Sequence, residues 1–208
     1  MRMRLCAVQF AVAAIMTFCS GYSLGDVALV FDDTAADLVD GLDDGDQVSS
    51  DGITMTFSNV VVPSGGAGEV TGVGILMSGA TDPSYDDVIQ FDFSFNEDVF
   101  LDTYEIGSWE SVPANRYFTI SGPNGVSGNN LIPMGDSNQE QSFLFNEGSI
   151  SHFKAGETYS FTHNLSATDD PLFYLEEFRV EVVPEPAAAG LFWSTALLVG
   201  LARKRRAS

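Results

Sequence analysis

The chain has almost no cysteine. Its 208 residues include two, Cys6 and Cys19, and both fall within the first 25 positions. If that stretch is removed after export, as argued below, the remaining chain has no thiol and cannot form a disulfide. A core built from roughly 100 residues or more does not need disulfides, so their absence is compatible with export.

Basic residues are scarce as well. The chain has 9 Lys and Arg against 29 Asp and Glu. Between residues 26 and 183 the acidic residues number 28, all of them except Glu185, against three basic ones, which gives a formal charge of −25. Such a charge repels phosphate backbones and anionic lipid, which argues against nucleic-acid binding. The 45% hydrophobic content and the 16 Phe predict a folded domain rather than a disordered one.

The sequence offers few groups for catalysis. Beyond residue 25 it contains no G-x-S-x-G motif, the one match, GYSLG, lying at residues 21–25; it has no glycine-rich phosphate loop, and its two histidines, His152 and His163, lack metal-ligand spacing. We expect both histidines to be structural. Glycoside hydrolysis needs two carboxylates about 5 to 10 Å apart, which an acidic chain can supply, but linear sequence shows no apolar pocket around either. The sequence therefore favours a non-catalytic protein, with a secreted glycosidase as the enzymatic alternative.

Residues 1–25 have the order of a secretory signal peptide. They begin with MRMR, continue through the apolar run LCAVQFAVAAIMTFC and end in the small or polar residues SGYSLG. This order predicts passage through the export machinery and cleavage after Ser23 or Gly25. An uncleaved anchor is the alternative, and the shortness of the apolar run disfavours it.

The other terminus has three parts. Pro184 and Pro186, on either side of Glu185, end the fold at about Val183, because proline cannot continue a strand or the interior of a helix. The following run, 187–202, has no charge and would rise about 24 Å as a helix, against about 30 Å of hydrocarbon. A basic cluster then predicts a cytoplasmic end and an external domain. The cluster consists of Arg203, Lys204, Arg205 and Arg206.

The tail from Val183 to Ser208 resembles the PEP-CTERM sorting signal of Gram-negative bacteria: a Pro-Glu-Pro triplet, one apolar helix and an Arg-rich cluster. The resemblance implies that the chain is a substrate of exosortase, a transpeptidase-like membrane enzyme that cuts near the motif. It also implies only a transient stay in the inner membrane and an association with an exopolysaccharide or biofilm matrix. The implied recognition residues, which are not catalytic, are Pro184, Glu185 and Pro186.

Between the two ends the apolar pattern has a period of two. In ITMTFSNV (53–60) every second residue is apolar from Ile53 to Ser58, and the same holds through most of VIQFDFSF (88–95), which is typical of half-buried strands. Turn-forming stretches such as PSGGAGE and SATDDP separate further strand-like runs. We expect about eight to ten strands, in one antiparallel β-sandwich of jelly-roll-like type covering residues 26–183. The alternation predicts that Phe91, Phe93 and Phe95 belong to the core.

The densest acidic segment, DGLDDGDQVSSDG (40–52), is a candidate Ca²⁺ site. Hard cations bind several oxygens, and an EF-hand-like loop opening at residue 40 would place Gly45 on its sharp turn. Leu42 breaks that pattern at the third position. A solvated acidic surface is the alternative. The candidate ligands are Asp40, Asp44, Asp46 and Asp51.

Two aromatic residues stand in polar, loop-like sequence, Tyr85 in DPSYDD and Trp109 in GSWES. Aromatic rings in such places can stack on a ligand, and a Trp can equally be buried at one end of a sandwich.

Together these features predict an exported, non-catalytic protein of the cell surface or extracellular matrix. The first alternative is a carbohydrate-binding module that recognises matrix polysaccharide, and the second is the glycosidase.

Overall fold

The computed structural model describes residues 26–35, 38–79, 84, 86–137, 140–166 and 172–183. The predicted signal peptide and the predicted sorting tail both lie outside these residues. Within the described ranges, no helix has the length and apolar character needed to cross a membrane.

The described residues form fourteen strands and no helix. The first seven are β1 (Val27–Val30), β2 (Gln47–Ser50), β3 (Ile53–Val61), β4 (Val70–Thr71), β5 (Gly74–Ser78), β6 (Gln90–Phe95) and β7 (Val99–Val112). The other seven are β8 (Arg116–Gly122), β9 (Gly125–Val126), β10 (Asn130–Ile132), β11 (Gly135–Ser137), β12 (Gln141–Leu144), β13 (Tyr159–His163) and β14 (Leu172–Val182).

The strands form two seven-stranded sheets. The first sheet has the order β11-β7-β14-β5-β4, with β1 also paired to β14 and β12 also paired to β7. The second has the order β10-β8-β13-β6-β3-β2, with β9 paired to β8. All pairings between named strands are antiparallel. The prediction of an all-β fold with two antiparallel sheets is confirmed.

Aromatic rings from both sheets meet in the core. Phe91, Phe93 and Phe95 of β6 are buried, as their alternation predicts. Across the interface, Tyr104 of the first sheet meets Phe118 of the second with ring centroids 4.8 Å apart. Such contacts join the inner faces of the sheets, whereas the polar residues of β6 alternate with its buried rings and are only partly buried.

An irregularity in β14 interrupts its alternation. Leu175 pairs with Ile106 of β7 and Glu177 pairs with Glu105, so one extra residue of β14 lies between these two pairs. That residue is Glu176. An extra residue of this kind is a β-bulge, which bends the strand and re-aims side chains. The bulge thus places two consecutive glutamates beside a third on the neighbouring strand.

Candidate functional site: a carboxylate cluster on the first sheet

Three glutamates from separate parts of the chain meet on the first sheet. Glu105 lies in β7, Glu176 forms the bulge of β14, and Glu140 comes directly before β12. One carboxylate oxygen from each lies within 4.8 Å of the others. We call this group the carboxylate cluster.

The carboxyl group of Glu176 rests against apolar and backbone atoms. Its Oε2 is buried and has no hydrogen-bond partner. A Cβ at Gly107 would lie 3.1 Å from this oxygen and 2.8 Å from Cγ1 of Val73. Because Gly107 has no Cβ, the carboxyl group of Glu176 can lie close to its backbone. Water therefore has little access to this side of the cluster.

The surroundings favour the protonated form. Burial raises the pKa of Glu176 to about 7, and the negative charges of Glu140, Glu105 and Glu177 and a hydrogen bond with Glu140 act in the same direction. Burial also raises the pKa of Glu105, as do the charges of Glu177 and Glu140. Glu176 and Glu105 therefore keep a proton to higher pH than isolated glutamates do.

Arg179 is the basic residue near the cluster. Its Nε lies 2.6 Å from Oε1 of Glu177, and its charge lowers the pKa of Glu105. Because the guanidinium is paired with Glu177, it compensates only part of the negative charge of the cluster.

The side chains of the cluster supply only part of a Ca²⁺ coordination sphere. Among the described Asp, Glu, His and Cys side chains, no fourth one joins the three, whereas Ca²⁺ takes six to eight oxygen ligands. The oxygens of the cluster lie closer together than the roughly 5 to 10 Å that glycoside hydrolysis uses, and the three glutamates do not line the cleft described next.

A cleft of about 360 Å³ opens between the edge strands β1 and β2, one from each sheet. Its polar lining combines hydroxyl, amide and carboxylate groups, and none of the side chains that line it is basic. Asp32 is partly engaged, because its Oδ1 accepts hydrogen bonds from the backbone nitrogen and the hydroxyl of Thr34. The polar side chains are those of Asp32, Thr34, Gln47, Ser49 and Ser50.

The predicted Ca²⁺ ligands are divided between structural elements. Asp46 Oδ2 accepts a hydrogen bond from the backbone nitrogen of Asp43 at 2.6 Å, and Asp44 Oδ1 accepts one from Val60 at 2.8 Å. Asp40 is exposed in the turn that precedes Gly41.

Asp51 lies at the opposite end of β2 from Asp46, in the turn to β3, with a φ of 48°. Five residues of extended chain span about 16 Å, so one ion cannot bind both Asp46 and Asp51. The EF-hand-like loop is therefore absent, and Ca²⁺ binding elsewhere in the segment stays a prediction.

The structure describes one of the two aromatic residues that were predicted to stack on a ligand. Trp109 lies within β7, where it pairs with Phe173 and Ser137, so its predicted loop location is wrong. The run GSWES continues β7 because it pairs with β14 and β11, which overrides its polar composition. Tyr85 lies outside the described residues.

The histidines occupy separate places. His152 lies in the loop before β13, with its Nε2 3.9 Å from Asp98 Oδ2. His163 ends β13, and its ring contacts Phe173 of the first sheet. Burial lowers the pKa of His163 to about 4.

Sequence reasoning missed the carboxylate cluster. One signal was available, since the adjacent glutamates of FYLEEFRVEV break the alternation of an otherwise regular strand and so indicate a bulge. The partners Glu105 and Glu140 carried no comparable signal, because pairing between distant strands brings them there.

No protein-family model, curated protein or solved structure matches this chain. The resemblance of residues 183–208 to a sorting signal therefore depends on the three-part pattern of the tail alone.

Proposed function

We propose that the chain is an exported, non-catalytic protein of the cell surface or extracellular matrix, delivered there through its C-terminal sorting signal. The observation that carries this proposal is the order of the tail, in which Pro184, Glu185 and Pro186 precede one apolar run and a terminal basic cluster. An exosortase-type enzyme would process the tail. The jelly-roll-like connectivity, a helical signal peptide at the N-terminus and a single transmembrane helix in the C-terminal tail are part of the same proposal.

The position of the last strand supports this role. β14 is bonded along one edge to β7 and along the other to β5 and β1. Its end is held further by a hydrogen bond of 2.7 Å from the backbone nitrogen of Val183 to the carbonyl of Asp98. The described sheets are thus complete at Val183, so removal of the tail that follows would leave them intact.

Replacement of Pro184, Glu185 and Pro186 by alanine tests the sorting proposal. In a host that contains the processing enzyme, we expect wild type to be cut and released and the variant to stay uncut in the membrane fraction. Glu147→Ala, an exposed change in the domain, is the matched control and should be released like wild type. Identical fractionation of wild type and the triple variant would contradict the proposal.

The cleft favours a second candidate, a carbohydrate-binding module. A neutral, hydroxylated ligand suits its lining, because Gln47, Ser49 and Asp32 can exchange hydrogen bonds with hydroxyl groups and no basic side chain in the lining would attract an anion. Matrix polysaccharide is such a ligand.

Binding of the full-length protein to a glycan array tests this candidate. We expect Gln47→Ala to lower binding on the order of tenfold, since it leaves ligand hydroxyls unpaired. The substitutions Trp109→Ala and Tyr85→Ala test the aromatic platform instead. If wild type binds no glycan, or if Gln47→Ala binds like wild type, the cleft is not a sugar site.

A further inference from the structure

The carboxylate cluster connects three segments that are distant in sequence. Glu105 belongs to β7, Glu176 to β14, and Glu140 to the chain immediately before β12. β12 begins at Gln141, which pairs with Ile106 of β7. Any attraction or repulsion within the cluster therefore acts directly on the start of β12.

Few other contacts hold β12. It is an edge strand of four residues paired only with β7 among the described strands. Phe143 stacks on Tyr104 with ring centroids 5.5 Å apart, whereas Leu144 is 79% exposed. Short edge strands with little buried surface open at a low free-energy cost. Repulsion between the nearby carboxylates can therefore decide whether β12 stays paired.

The charges around the cluster are mostly negative. β7 contributes Glu105, β14 contributes Glu176 and Glu177 with the partly compensating Arg179, and the start of β12 contributes Glu140. On the side of Gly107 and Val73, the contacts are apolar. Full ionisation would thus place three carboxylates within 4.8 Å in a partly desolvated place, where like charges repel strongly.

We propose that a proton bound at Glu176, beside Glu105 and Glu140, holds the start of β12 on the first sheet, and that release of this proton loosens β12 from β7. When this proton leaves, repulsion acts on Glu140, because Glu105 and Glu176 are fixed in long, doubly paired strands.

The direction of the pH effect follows from the raised pKa of Glu176. A group whose pKa is higher in the folded state stabilises that state below its unfolded value, and this stabilisation is lost as pH rises through the folded value. For Glu176 the interval runs from 4.5 to about 7. The cluster should therefore hold β12 in mildly acidic medium and release it above neutrality.

Amide hydrogen exchange of the full-length protein, with a chelator present to remove divalent cations, tests the proposal. We expect the protection factors of residues 141–144, corrected for intrinsic exchange, to fall on the order of tenfold between about pH 5 and about pH 8. A tenfold fall corresponds to a difference of about one pKa unit between the paired and the loosened state. The amides of β3, in the other sheet, should show no such fall.

Glu176→Gln and Glu140→Gln keep the shape of a protonated carboxyl group and should remove the pH dependence. Glu147→Gln, beyond the end of β12, is the matched control and should retain it. Wild-type protection of β12 that does not change with pH, or a fall that persists in both cluster variants, would overturn the proposal.

Discussion

Glu176 and His163 show how one physical cause acts on two kinds of side chain. Burial disfavours the charged form of each, so it raises the pKa of the acid to about 7 and lowers that of the base to about 4. The two residues therefore change the stability of the protein in opposite directions with pH. Neither shift can be inferred from linear sequence, because each depends on the neighbours that folding provides.

We predict that His163 destabilises the fold in acid. Its folded pKa is depressed, so its neutral form contributes stability that is present above about 6.5 and is lost as pH falls towards about 4. His163→Gln should reduce the loss of unfolding free energy over this interval, measured by urea denaturation.

The comparison variant is His152→Gln, in the loop before β13. It should lose as much unfolding free energy as wild type when the pH falls over the same interval. An acid-side loss in His163→Gln as large as in wild type would refute the prediction.

At the scale of the element, regular alternation predicted the long strands and failed for the short ones. The patterns in 53–60 and 88–95 correspond to β3 and β6. β5 was missed because all five of its residues are buried, and so it shows no polar face. β4, β9, β10 and β11 have two or three residues each, too few to establish a period.

Close packing between β8 and β13 depends on Gly122. A Cβ at this position would overlap the ring of Tyr159 on the neighbouring strand. We predict that Gly122→Ala lowers the unfolding free energy by about 1 to 3 kcal/mol, the usual range for overpacking. Denaturant unfolding measures this change.

Gly66→Ala is the matched control for Gly122→Ala. The nearest atom to its added Cβ is the Ser64 hydroxyl oxygen at 3.3 Å, which accepts a hydrogen bond from the Gly66 backbone nitrogen and would need to shift by only a few tenths of an ångström. Equal stability of the two variants would show that the ring of Tyr159 moves aside freely.

At the scale of the whole molecule, the charge of −25 between residues 26 and 183 opposes compaction. We predict that salt stabilises the fold. The Debye length falls from about 30 Å at 0.01 M to about 3 Å at 1 M, so screening weakens the repulsion between surface carboxylates. Thermal unfolding followed by circular dichroism should show a higher Tm at the higher concentration of NaCl.

A Tm that stays constant or falls over this range would contradict the prediction. Comparison of NaCl with sodium sulfate separates screening from salting-out, because sulfate also strengthens apolar burial. At equal ionic strength, screening alone gives equal shifts.

The sequence by itself determined the all-β class, the long strands and the phenylalanine core, because alternation and composition can be read directly from the order of the residues. It also contains the whole basis for the proposed sorting tail. Only the tertiary structure decided the carboxylate cluster, the division of the acidic segment 40–52 by β2, and the place of Trp109 within β7. These features depend on which distant strands pair and in what register. The residues that stabilise such a pairing lie far apart in the chain, so no short segment of sequence contains them all.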